Sequence, residues 1–147
     1  MTTTSTVHQT KSDKPAQLMA TVVADAARLD CLPRFFGARC VMVENTVFSM
    51  LESLSSDYHG GFWTFYELSN GGFYMAPNTD KPFHFFCDGN GFEGEVSADA
   101  AGIIACLFTF SHLSFAVEND RLSELFYLLR DYASEHPEAS AIFMAID

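Results

Sequence analysis

Basic residues are scarce in this chain. It carries 8 Lys and Arg against 19 Asp and Glu, for a formal net charge of −11. So acidic a surface repels the phosphates of nucleic acid and the face of an anionic bilayer, so strong binding to DNA, RNA or membrane is not expected. No C-x-x-C pair occurs among the four cysteines, Cys31, Cys40, Cys87 and Cys106, and no His-x-x-x-His completes a metal site. Three glycine-rich spots, Gly60-Gly61, Gly71-Gly72 and Gly89-Asn90-Gly91, lack the spacing of a phosphate or dinucleotide loop, and hairpin turns account for them. Residues 1–14 are polar and hold no apolar leader segment, so reduced thiols in a cytoplasm are the expectation. Residues 100–117 lack Asp, Glu, Lys and Arg and are long enough to span a bilayer. Their flanks are Asp99 and Glu118, with no nearby Lys or Arg, and Thr109, Ser111, His112 and Ser114 interrupt them. A helix buried in a protein core is predicted instead.

Aromatic rings, by contrast, are abundant. Fifteen Phe among 147 residues, with 48% hydrophobic residues overall, imply one ordered domain with a ring-filled core. Charge is uneven: residues 1–39 hold five basic and three acidic groups, whereas residues 40–147 hold three basic and sixteen acidic ones. The expected organisation is a disordered polar tail over residues 1–16 and a single domain over 17–147.

Residues 17–29 predict a short helix, and Leu32-Pro33-Arg34-Phe35-Phe36-Gly37 a single helical turn. Val47, Met50, Leu51 and Leu54 mark one face of a helix over 44–57, with Asn45 as its N-cap. Four strands follow at 62–68, 73–76, 83–87 and 92–96, joined as two hairpins by Ser69-Asn70-Gly71-Gly72 and Asp88-Gly89-Asn90-Gly91. Ser97 caps the apolar helix, and Gly102 and Ala105 leave room for another element to approach it closely. A last helix begins near Asn119, has an apolar stripe of Leu122, Leu125, Phe126, Leu129, Tyr132 and Ala133, and ends at Pro137; 141–146 is an edge strand or a packed tail. Strands arrive as a block, which gives an α+β fold: a small antiparallel meander of about four strands packed with three to four helices.

The search for chemistry finds no catalytic constellation. Cys87 with His84, or Cys106 with His112, would need an electropositive, partly exposed setting to form a thiolate, which this acidic and apolar context does not offer. His84 and Cys87 point to opposite faces of a strand, and His112 on an apolar helix reads as a core histidine. Glu93 and Glu95 share a strand face, which reads as solvated before it reads as an acid–base pair. The aromatic hairpin resembles a base-stacking platform but has Glu67 and no Lys or Arg. No enzyme activity, metal or cofactor is expected.

Several ordered blocks carry a resemblance. The segment running from Tyr58-His59-Gly60-Gly61-Phe62-Trp63 through Asn70-Gly71-Gly72-Phe73-Tyr74 to Pro77 resembles the core signature of the ArdB/KlcA antirestriction family. Leu32–Gly37, Ser97-Ala98-Asp99 with Ser111-His112, and Leu129-Arg130-Asp131-Tyr132 with His136-Pro137-Glu138 are similar to further blocks of it, and together they cover about residues 20–147. The resemblance implies a cytoplasmic, plasmid- or island-borne α+β protein without cofactor that relieves type I restriction of incoming DNA. Its implied partner is the type I restriction–modification enzyme or an associated host protein, and the expected state is a monomer or weak oligomer.

The contact surface expected from the sequence comprises Trp63, Tyr66, Asn70 and Tyr74 on the aromatic hairpin, Asp88 and Asn90 in the second turn, and Asp120, Glu124 and Asp131 on the last helix. An alternative is an acidic DNA mimic. A duplex carries a negative charge every ~1.7 Å, so the −13 of residues 40–147 (3 basic against 16 acidic groups) matches only about 22 Å of it, too little for a long enzyme footprint.

Overall fold

The computed structural model describes residues 17–117 and 120–147. The stretch 1–16 and Asn119, the expected tail and the expected start of the last helix, lie outside the described residues. The first ordered element is a strand, β1 (Ala20–Val22), and not the helix expected over 17–29. Thr21, Val22 and Val23 are consecutive β-branched residues, and pairing with β2 (Trp63–Leu68) decides their conformation. The Val23 amide donates to the Phe65 carbonyl at 2.8 Å, and the Ser69 amide to that of Met19 at 2.8 Å.

A 3₁₀ turn (Asp25–Ala27) leads into α1 (Arg28–Phe36). Only a single turn was expected here, and the helix accommodates Pro33 in its interior. It buries Cys31, Leu32, Phe35 and Phe36. A second 3₁₀ turn (Gly37–Arg39) runs into α2 (Cys40–Leu54), whose stripe of Val43, Val47, Leu51 and Leu54 is buried. This helix starts five residues before Asn45, which is exposed and caps nothing.

The strands form two antiparallel sheets: β1–β2–β3, with β3 at Phe73–Pro77, and β4–β5, with β4 at Phe83–Cys87 and β5 at Phe92–Val96. Both expected hairpins are present, but they do not join into one meander. After Pro77 the Asn78 amide turns back to the Phe62 carbonyl at 2.8 Å, and the outward amide of β4, at His84, is taken by the Asp57 carboxylate at 2.8 Å. A side chain thus closes the edge that a neighbouring strand would otherwise use.

The long apolar helix α3 (Ala98–Ala116) is central, capped as expected by Ser97, whose hydroxyl accepts from the Ala100 amide at 3.1 Å. It packs against β3, α2 and α4 (Asp120–Ala133), and β3 is buried along its whole length. Gly102 makes the α3–β3 approach possible, because a Cβ there would lie 2.3 Å from the Met75 carbonyl oxygen. The chain closes with a helix, α5 (Ala139–Ile146), where an edge strand or packed tail was expected; it tucks Ile142 and Ala145 inward. The fold is α+β.

Candidate functional site

The aromatic hairpin folds inward. Trp63 and Tyr74, two of the expected contact residues, are 3% and 1% exposed. Trp63 packs against Phe48 and Tyr58, with ring centroids 5.2 and 5.7 Å away, and its indole N–H donates to the Tyr58 hydroxyl at 3.1 Å. Tyr74 is stacked between Tyr66 at 4.6 Å and Tyr132 at 5.7 Å. Tyr74 was expected on a contact surface, but both faces of β3 are covered, one of them by α3. Tyr66 alone of the three rings keeps an accessible edge.

The two turn asparagines are fasteners. Asn70 accepts from the Gly72 amide and donates to the Leu128 carbonyl on α4, each at 2.9 Å. Asn90 accepts from the Phe92 amide at 2.9 Å and donates to the Ala145 carbonyl at 2.8 Å, satisfying the C-terminal end of α5. Asp88, Asp120, Glu124 and Asp131 are exposed, with Glu124 paired to Arg121 at 2.5 Å. Of the residues expected to form one surface, the structure therefore leaves Tyr66, Asp88 and three carboxylates of α4 open to a partner.

One cluster escaped the sequence reading. Asp99, in the first turn of α3, accepts from the Tyr74 hydroxyl at 2.7 Å through one oxygen and contacts His136 Nε2 at 2.8 Å through the other. His136 Nδ1 accepts the Glu138 amide at 2.9 Å, which places the ring proton on Nε2 and makes the imidazole the donor to Asp99. The Glu138 carboxylate accepts from the Ser97 amide at 3.0 Å and from the Ser97 hydroxyl. Burial would raise the Asp99 carboxyl, but the hydrogen bonds from His136 and Tyr74 outweigh it and hold the group below its ordinary value. Burial first, and Asp99 second, push the Tyr74 hydroxyl well above the tyrosine range, so it stays protonated and donates to Asp99. Each of these groups already has a partner, and the cluster ties the start of α3 to the α4–α5 turn. Three of the blocks singled out in the sequence meet here, through Tyr74, through Ser97 and Asp99, and through Tyr132, His136 and Glu138. Periodicity could not reveal this, since the residues lie up to 64 positions apart.

Cys31, Cys87 and Cys106 are buried, and Cys40 is half-buried. Cys106 is fully buried and its thiol is pushed up to about 12; burial, then Glu67, lifts Cys31 to about 11. Burial also raises Cys87, whose strand neighbour His84 points outward to Glu93 at 2.8 Å. His112 is exposed, which corrects the expectation of a core histidine; it lies near the solvent end of α3, where burial gives out. Glu93 and Glu95 occupy one exposed strand face together with His84 and Phe86. Among the described residues no three His, Cys, Asp or Glu side chains gather as a metal would require.

Comparison with known proteins then bears on identity. The family described as "Antirestriction protein" matches residues 56–147. Two proteins of Escherichia coli, both named antirestriction protein KlcA, are similar: one is 49% identical over 140 residues, covering 90% of this chain and 96% of its own, and the other is 45% identical, covering 92% and 97%. A solved structure matches with a TM-score of 0.84 at 42% identity, covering 91% of this chain and 99% of that one. It is described as showing, for the KlcA and ArdB proteins, a novel fold and antirestriction activity against type I DNA restriction systems in vivo but not in vitro.

Proposed function

Because the chain belongs to the antirestriction protein family, we propose that it relieves type I restriction of incoming plasmid or mobile-element DNA by contact with another macromolecule and not by catalysis. Likeness to the KlcA proteins along nine-tenths of its length is the observation that carries this proposal. Contact, as against catalysis, is supported by the fate of its chemical groups: Cys31, Cys87 and Cys106 are buried with raised thiols, and the Tyr74–Asp99–His136 cluster is spent on fastening α3 to the α4–α5 turn. The partner is the restriction–modification enzyme or an associated host protein in a bacterial cytoplasm. Activity of the KlcA and ArdB proteins in vivo but not in vitro favours a partner that a purified assay leaves out. The proposed contact surface is Asp88, Asp120, Glu124 and Asp131 with the edge of Tyr66, presented by one domain over 17–147 that acts as a monomer or weak oligomer.

Direct mimicry of DNA fits less well. On α4 the carboxylates alternate with Arg121 and Arg130, and Arg121 neutralises Glu124, so no unbroken row of negative charge runs along the helix. The test is plating of unmodified DNA on a restricting strain that expresses the chain, beside an isogenic strain with an empty vector. The proposal expects higher plating with the chain and unchanged modification; equal plating on the two strains would refute it.

A further inference from the structure

We infer that the groove between segments 57–62 and 77–83 is a binding site for a ligand that joins an oxyanion to a flat apolar body. The groove has a volume of about 580 Å³, within the range of small-ligand clefts. Gly60-Gly61, expected to be a hairpin turn, instead lies in the link from α2 to β2 and forms one wall. The apolar lining consists of Tyr58, Phe83, Pro77, Pro82 and Phe62, whose ring is 57% exposed. Apolar, ring-bearing walls of this kind match a planar group.

The polar lining is rich in donors. Lys81, His59, Asn78 and Thr79 are among its lining residues. The backbone amides of His59, Gly60, Gly61 and Phe62 have no acceptor among the described residues. Four of the arginines are engaged: Arg28 on the Trp63 carbonyl and two Phe rings, Arg34 with Glu67, Arg121 with Glu124, and Arg130 over Phe143. Lys81 has no ion pair or ring contact among the described residues. Its loop is held by its own amide, which donates to the Thr79 hydroxyl at 3.2 Å. Among the described residues Asp57 is the only carboxylate in the lining, and one of its oxygens is committed to the His84 amide; Asp80, beside Lys81 in the chain, is not part of the lining. The Lys81 ammonium and the four amides without an acceptor favour a ligand that brings acceptors, and a carboxylate or phosphate brings the strongest. Remote carboxylates of this acidic protein oppose such a ligand weakly, since at physiological salt their field is screened within about 8 Å. Apart from its location, this groove shares no residue with the contact surface proposed above.

The test is an NMR titration of the ¹⁵N-labelled full chain with phenyl phosphate, with N-acetyl-Phe-Glu-amide, and with uncharged benzyl alcohol. At least one of the two anionic probes is expected to shift the amides of residues 59–62 saturably, with affinity about tenfold lower in Lys81→Ala and recovered in Lys81→Arg. A response to phenyl phosphate alone identifies a phosphate ligand, and a response to the dipeptide alone an acidic peptide side chain. Lys81 is exposed, so both variants keep the fold, which their amide spectra verify. Silence at residues 59–62 with both anions, equal binding of benzyl alcohol, or indifference to Lys81→Ala overturns the inference.

Discussion

Asp99 shows how a half-buried side chain can stay ionised. Its two oxygens accept from Tyr74 and His136, and these bonds lower its carboxyl below the ordinary 3.8. A depressed folded-state value means the group stabilises the fold above the unfolded value and loses that contribution as pH falls through the lower, folded one. Asp99→Asn is therefore expected to cost about 1–2 kcal/mol at neutral pH, a figure kept modest because the side chain is partly exposed. Urea melts taken across pH should show the gap between variant and parent closing below about pH 4, where both bear an uncharged group. Thr109 is a residue of the opposite kind: its hydroxyl is buried with no hydrogen-bond partner among the described residues. Thr109→Val removes that unsatisfied group at nearly constant volume, so thermal melts should show an unchanged or higher Tm. Neither feature was legible in the sequence. Both depend on what packs against α3, and residue spacing says nothing about that.

Among the elements, α3 and β3 determine how closely the layers approach. Gly102→Ala would set a methyl 2.3 Å from the Met75 carbonyl and 2.5 Å from Ala76 Cα, both backbone atoms that cannot swing away. Overpacking of this kind costs about 1–3 kcal/mol, and urea titration should show a lower midpoint with an unchanged slope. That Gly102 permits a close approach was readable from the sequence, as were the Ser97 cap, both hairpins and the buried stripe of α2, because each follows from local chemistry or periodicity. The start of the chain and its end were not. The segment around Val22 is a strand because β2 offers it an edge, and the helix at 139–146 buries Ile142 and Ala145 with its end fastened by Asn90. Both outcomes come from distant partners. The strands split into two sheets, and at the edge of β4 the distant Asp57 side chain occupies the His84 amide.

At the scale of the whole molecule, the chain is an acidic shell around a core filled with aromatic rings. The α+β class was legible because the strands come as a block, and the scarcity of cations was legible from composition alone. The candidate surface was only partly legible. Composition located the carboxylates of α4, which are exposed, but it could not tell that Trp63 and Tyr74 point inward. What remains outward is Asp120, Glu124 and Asp131 on one helix with Asp88 in a turn, which is where a protein partner is proposed to dock. Reversing rim charges of this sort weakens association without disturbing the core. The decisive measurement is the plating of unmodified DNA on restricting cells that express either the parent chain or the triple variant Asp120→Lys, Glu124→Lys, Asp131→Lys at equal soluble levels. Protection by the parent and its loss, by about tenfold or more, in a variant with the parent's circular dichroism spectrum is the predicted result. Equal protection by the two chains, or none by the parent, would contradict it.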